Sequence, residues 1–102
     1  MEKTIAKSIV TINEDGYLTN FAQWNKEIAA ELAKEEHLEL TPRHWDVLNY
    51  LQLEYKQGHP LSIRHIGKSG IVDIKEFYKL FPNGPLKTAT KIAGIPKPVS
   101  CL

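Results

Sequence analysis

The stretch "LTPRHWDVLNYLQLEYKQG", residues 40–58, restricts the fold of this chain more than any other segment. Thr41 suits an N-cap, and Pro42 suits the first helical position, where its missing N–H has no partner to lose. Trp45, Leu48, Leu51 and Tyr55 recur at three- and four-residue steps and mark one apolar stripe, and Gly58 ends it. A helix with such a stripe must be covered by the remainder of the chain. With 102 residues there is material for one domain and one modest core, without a need for disulfide or metal staples.

The covering elements are short. "KSIVTINEDGYLTN" alternates β-branched residues around an Asp-Gly pair, which predicts a hairpin over residues 7–12 and 16–19, with Ile9, Val10 and Ile12 available for its buried side. Two strands alone are marginal in water, so the hairpin must lie on helices. Asn20 is the expected N-cap of "FAQWNKEIAAELAKEE", where Phe21, Trp24, Ile28 and Leu32 trace one face. Ser62 caps a short helix over residues 63–68, Gly70 breaks it, and Asp73 caps another that carries Ile74, Phe77, Tyr78 and Phe81. That spacing is compatible with a helix-turn-helix. Pro85 opens a last helix through Ala93, and Gly94 followed by Pro96 closes it.

The expected fold is therefore α+β and mostly helical. An N-terminal β-hairpin packs on a five-helix orthogonal bundle with a helix-turn-helix-like core. Residues 1–94 form the globular domain, and residues 95–102 form a flexible, extended C-terminal arm. Trp24, Trp45, Phe77 and Phe81 are assigned to the core by their helical spacing.

Apolar residues at 42% and charged residues at 25% lie in the ordinary globular range, against disorder. A formal charge of +1 is low for a dedicated duplex-DNA binder. No run of about 18 apolar residues is present and "MEKTIAKSIV" lacks a secretory apolar region, so no membrane partner is expected and the cytoplasm is the default address. His37, His44, His59 and His65 show no metal-ligand spacing, so no metal and no cofactor are expected, and His44 and His65 read as surface or boundary residues.

The single cysteine, Cys101, is the penultimate residue. No internal disulfide is open to it, which favours a reducing compartment. Nucleophilic catalysis needs a base and an oxyanion hole in a rigid frame, which this terminus does not offer. Pro96 and Pro98 bias the segment toward extended geometry, and residues 95–101 span about 20 Å when extended. That is the geometry of a carrier, whose reactive group enters the site of another protein. Lys87, Lys91 and Lys97 supply a positive field that favours thiolate, while the α-carboxylate of Leu102 opposes it. Activation then comes from docking, either into a basic groove on this domain, for which Arg64 and Lys68, one turn apart, are candidates, or into a partner's site.

"YKLFPNGPLKTATKIAGIPKPVSCL" resembles the C-terminus of the DsrC/TusE family of sulfur-relay proteins, which includes the so-called gamma subunit of dissimilatory sulfite reductase. "DGYLTNFAQWN" and "LTPRHWDVLNYLQLEY" are similar to the hairpin with the first helix, and to the long second helix, of the same family. In the DsrC branch a second cysteine stands eleven positions before the penultimate one. Here that place is Thr90, and a hydroxyl forms no disulfide or trisulfide. The single-thiol pattern resembles the TusE branch. The resemblance implies a sulfurtransferase-type carrier, a relay component more than a stand-alone enzyme, with Cys101 as its persulfide-bearing residue. It implies a TusBCD-like or DsrEFH-like donor complex and, as acceptor, the tRNA 2-thiouridylase or a sulfite reductase. Lys91 and Lys97 then read, with Arg64 and Lys68, as partner- or anion-binding residues, and Gly94 as the hinge of the arm.

Two other readings compete. A DsrC-like partner of dissimilatory sulfite reductase that lacks the second thiol would dock without completing the thiol pair. A helix-turn-helix regulator would set Arg43, Arg64, Lys68 and Lys75 on phosphates. Low net charge and the nearby Glu54, Asp73 and Glu76 weigh against it, and nucleic acid enters only as a secondary partner.

Overall fold

The computed structural model of the chain describes residues 1–59 and 61–96. Strands β1 (Glu2–Ile5) and β2 (Ser8–Thr11) form an antiparallel pair, followed by a 3-10 turn at Phe21–Gln23. Among the described residues five helices follow: α1 (Lys26–Glu35), α2 (Pro42–Lys56), α3 (Ile63–Gly67), α4 (Ile74–Leu80) and α5 (Pro85–Ile92). An N-terminal hairpin packed on a mostly helical, five-helix bundle is thus the observed fold, as the sequence leads one to expect. Among the described residues no helix is long and apolar enough to cross a membrane.

The hairpin sits one strand earlier than the Asp-Gly signal suggests. Ile5 faces Ser8 and Glu2 faces Thr11, whereas residues 16–19 contribute only a single bridge, between Leu18 and Ile12. The Asp-Gly loop closes on itself, with Asn13 Oδ1 accepting from the N–H of Asp15 at 2.9 Å and of Tyr17 at 3.1 Å. Tyr17 is then fully buried, and its hydroxyl donates to the Lys87 carbonyl at 3.1 Å, which draws the chain inward toward α5. The actual two-residue turn is Ala6-Lys7, with φ of 51° and 67°. Turns of this kind usually recruit Asn-Gly, so nothing in the sequence flags it. Val10 points into the core and Ile9 into solvent, as a strand with one covered face requires.

Lys7 is exposed and sits in the left-handed region, where its Cβ crowds the following carbonyl. Lys7→Gly is expected to raise the urea midpoint, by about 0.5–1 kcal/mol after the added freedom of the unfolded chain is subtracted. A lower midpoint would show that the turn carries no such strain.

The first expected helix is interrupted. Asn20 Oδ1 accepts from the N–H of Ala22 and caps only the 3-10 turn. Trp24 is extended at ψ 142°, and Asn25 restarts the helix by accepting from the Ile28 N–H at 2.9 Å. Helix α2 runs as anticipated from the Thr41 cap. His44 within it is buried, contrary to its surface reading. Its Nδ1 accepts from the Thr41 N–H at 3.1 Å, so Nε2 carries the proton and donates to the Leu80 carbonyl at 2.8 Å.

Ile28, Leu32, Val47, Leu48, Leu51, Ile66, Phe77, Phe81 and Ile92 form the centre of the core, each side chain contributing about 1.5–3 kcal/mol by leaving water. Trp24 and Trp45 pack at its rim, half-buried. Two polar clamps join α2 to the α3–α4 unit. At its start Arg43 forks onto Glu76, at 3.0 and 2.6 Å, and also donates to the Ile71 carbonyl at 2.8 Å. At its end Glu54 accepts from His65 Nε2–H of α3 at 2.8 Å and from His59 Nδ1–H at 2.5 Å.

Candidate functional site

Cys101 and Lys97 lie outside the described residues, and the described part of the C-terminal segment ends at Pro96, just beyond α5. Alternation of apolar residues and small ones on "PLKTATKIAGI" buries Leu86, Ala89, Ile92, Ala93 and Ile95, leaving Lys87 exposed and Lys91 half-buried. A helix end leaves its last carbonyls without partners, and here each receives one. The Ile95 N–H donates to the Thr90 carbonyl and the Gly94 N–H to the Lys91 carbonyl, both at 3.2 Å. This is a Schellman closure with Gly94 at φ 75°. The next two carbonyls are taken by side chains from elsewhere in the chain. Trp24 Nε1–H donates to Ile92 O, and Gln52 Nε2–H to Ala93 O, each at 2.8 Å.

The interruption before α1 now has a physical reason. An indole on a continuous helix would follow the helix direction, whereas the extended Trp24 crosses over the end of α5. The approach is close enough that a Cβ on Gly94 would lie 2.4 Å from Trp24 Cδ1. Gly94 is therefore sealed under an aromatic ring, a geometry that opposes its expected role as a hinge. Ile95, expected as the first residue of the arm, is fully buried in the core and belongs to the body. Gln52 carried no sequence signal, since its face of α2 was assigned from apolar spacing alone.

Thr90 is fully buried on α5, and its hydroxyl donates back to the Leu86 carbonyl at 2.7 Å and the Lys87 carbonyl at 3.1 Å. Lys91 is drawn down beside Gly16 and pairs with Glu36 Oε1 at 3.4 Å, which commits a residue expected to meet anions. Arg43, a phosphate contact in the nucleic-acid reading, is committed to Glu76. That carboxylate, held by the guanidinium, titrates below the ordinary range, and the guanidinium above its own. Arg64 and Lys68 are both exposed on α3. Arg64 lines a groove with Lys87 of α5, while Lys68 caps the C-terminus of α3 and is not part of that groove.

The sequence marks Glu54 only as an acidic residue that weighs against nucleic acid. Its side chain is 10% exposed and accepts from Tyr50 OH as well as from both imidazoles. Hydrogen bonds from His59, His65 and Tyr50, in that order, hold its carboxyl down at about 2, and burial opposes them. Burial, followed by the bond to Glu54, pushes Tyr50 up to about 12. His65, read from the sequence as a surface or boundary residue, is indeed exposed and also supplies one of the two imidazole bonds of this clamp. Among the described residues no group of three or more histidine, cysteine, aspartate or glutamate side chains is arranged to hold a metal ion.

The described chain is thus a five-helix bundle with an N-terminal hairpin whose last helix is anchored, and the sequence continues from it to a lone penultimate cysteine. The family model described as DsrC like protein matches residues 4–102. The sulfurtransferase TusE of Photorhabdus laumondii is 40% identical, with 91% of each chain covered. The solution structure of Allochromatium vinosum DsrC superposes with a TM-score of 0.83 at 35% identity over all of both chains. The oxidized gamma-subunit of the dissimilatory sulfite reductase (DsrC) from Archaeoglobus fulgidus gives 0.80 at 33%, also over all of both chains. The chain belongs to the DsrC/TusE family of sulfur-relay proteins. Its role is that of a sulfur carrier in a persulfide relay.

Proposed function

We propose that Cys101 is the residue that carries the sulfur and that the chain works as a single-thiol, TusE-like relay in the cytoplasm, serving tRNA 2-thiouridine formation. The observation that carries this reading is the combination of one cysteine in the whole chain with a buried, internally bonded Thr90 at the place of the second family thiol. No pair of thiols is available to cycle between disulfide and dithiol, so each sulfur must arrive and leave on one atom.

The chemistry balances without an added oxidant. The Cys101 thiolate attacks the terminal sulfur of a donor persulfide, a new S–S bond forms, and the donor leaves as its thiolate. An acceptor thiolate then attacks the terminal sulfur on Cys101, takes it as its own persulfide, and releases the Cys101 thiolate. The body contributes a fixed base for these visits. Gly94 and Ile95 are anchored and belong to that base. The donor is a TusBCD-like or DsrEFH-like complex, with Lys97 among the residues proposed to meet a partner or anion.

A second reading, a sulfite-reductase partner without the second thiol, is favoured by the structural likeness to DsrC proteins. Co-purification separates the two, with a tRNA-modifying enzyme on one side and a sulfite reductase on the other. The role of Cys101 itself is tested by intact-mass analysis after incubation with a sulfur donor. Wild type is expected to gain the mass of a sulfur atom and Cys101→Ser to gain none. Equal labelling of both, or of neither, would remove the proposal.

A further inference from the structure

We propose that the groove between α3, α4 and the start of α5 is a docking surface for a partner protein segment that is apolar and carries a carboxylate. The groove encloses about 570 Å³, room for two or three side chains. Ile63, Ile74, Tyr78 and Leu86 are among its apolar lining, and among the described residues Arg64 and Lys87 are the charged ones that line it. Ile74 and Tyr78, large side chains that a folded body ordinarily covers, are 44% and 47% exposed.

The charge pattern selects the occupant. Arg43 is paired with Glu76 and Lys91 with Glu36, while Arg64 and Lys87 have no ion-pair partner among the described residues; Lys68, Lys75 and Lys79 are exposed nearby but do not line the groove. Gly84 offers no side chain to cap α5, so the first turn of that helix adds its own partial positive charge to the same groove. An apolar trough with two free cations and no acid fits an apolar segment bearing a carboxylate and disfavours a cationic one. Nucleic acid fits the groove itself less well, because Ile74 and Tyr78 form its α4 wall, while the exposed Lys75 and Lys79 of that helix lie outside its lining.

The relative placement of the groove walls is fixed by groups already described. The Glu54–His65 clamp sets α3, and therefore Arg64 beside His65, against α2. Gly67 lets α4 approach α3 so closely that a Cβ there would lie 2.4 Å from Ile74 Cγ1. The groove is consequently a preformed surface, and binding there does not require Cys101. The inference stands apart from the sulfur-bearing role of that residue.

The test uses the full chain, with a blocked hexapeptide of alternating leucine and glutamate and its leucine–glutamine counterpart, followed by NMR. Methyl and amide shifts are expected at Ile63, Ile74, Tyr78 and Leu86 with the glutamate peptide. Affinity is expected to fall about tenfold for the glutamine peptide, and about tenfold for the Arg64→Gln/Lys87→Gln variant, whose spectrum elsewhere should be unchanged. Absence of shifts, shifts elsewhere, or equal binding of the two peptides would overturn the proposal. So would inorganic phosphate moving the same residues as strongly, since the groove would then be an anion site. A tenfold gain in peptide affinity on removal of residues 97–102 would give the groove to this chain's own C-terminus, and concentration-dependent shifts without peptide would give it to a second copy. Either result overturns docking of a partner.

Discussion

Replacing Gly94 by alanine is expected to remove about 2–4 kcal/mol of stability, a fall in Tm of about 10–25 °C for a domain of this size. Two costs combine. The new Cβ would meet Cδ1, Cγ and Cβ of Trp24 at 2.4, 2.7 and 2.9 Å, and the residue would have to hold φ 75°. The ring cannot simply retreat, because its Nε1–H supplies the Ile92 carbonyl and its face covers the core. Thermal unfolding checks the size of the loss, and the Trp24 indole N–H resonance checks its cause. In a Trp24→Ala background the same substitution is expected to cost only about 1 kcal/mol, from the backbone conformation alone. An equal loss in both backgrounds would show that the ring is not what confines Gly94.

Glu54→Ala is expected to cost about 3 kcal/mol at neutral pH. A carboxyl held at about 2 against an ordinary 4.5 corresponds to that much stabilisation of the folded state, with the side chain only 10% exposed. The sign follows from the depressed folded value. The contribution is complete above about pH 4.5 and is lost as the pH falls toward 2. Wild-type urea midpoints should therefore drop across that window, and those of Glu54→Gln should start lower and change less. Tyr50 acts at the other extreme. Held protonated up to about 12, it gives stability that is present below pH 10 and lost as the pH rises through 12. A wild-type acid limb with the same slope as that of Glu54→Gln would mean that other carboxylates dominate acid unfolding. Because His65 joins Glu54 to α3, loss of this clamp should also loosen the groove that Arg64 lines, before the core itself opens.

Much of the fold was legible because it rests on local chemistry. Thr41 with Pro42, Ser62 and Asp73 are caps whose effect is exerted within a few residues, and they stand where helices α2, α3 and α4 begin. The stripes that bury Leu48, Leu51 and Phe77 follow from helical periodicity in the same way. The hairpin was misplaced because its turn, Ala6-Lys7, adopts a backbone that those residues do not favour. The pairing of β1 with β2 and the packing of Ile5 and Val10 hold it there. Residues joined across long separations were not legible. Trp24 reads as one more apolar position of a helix, yet it leaves the helix to bond with Ile92. Gln52 carries no sequence signal, yet it is buried and bonded to the Ala93 carbonyl, and Glu54, weighed only as an acid against nucleic acid, is buried and bonded to His59 and His65.

The sequence by itself determined where helices start and stop, which positions are apolar, and that the chain has one thiol, next to its last residue. The family wording of its tail is likewise a property of the sequence. The tertiary structure decided that Gly94 and Ile95 belong to a sealed root, that Lys91 and Arg43 are spent on carboxylates, and that Arg64 meets Lys87 in an apolar groove. The reason is range. Caps and periodicity act over three or four residues, whereas the partner of a hydrogen bond or a charge is fixed only when packing brings remote segments within about 3 Å.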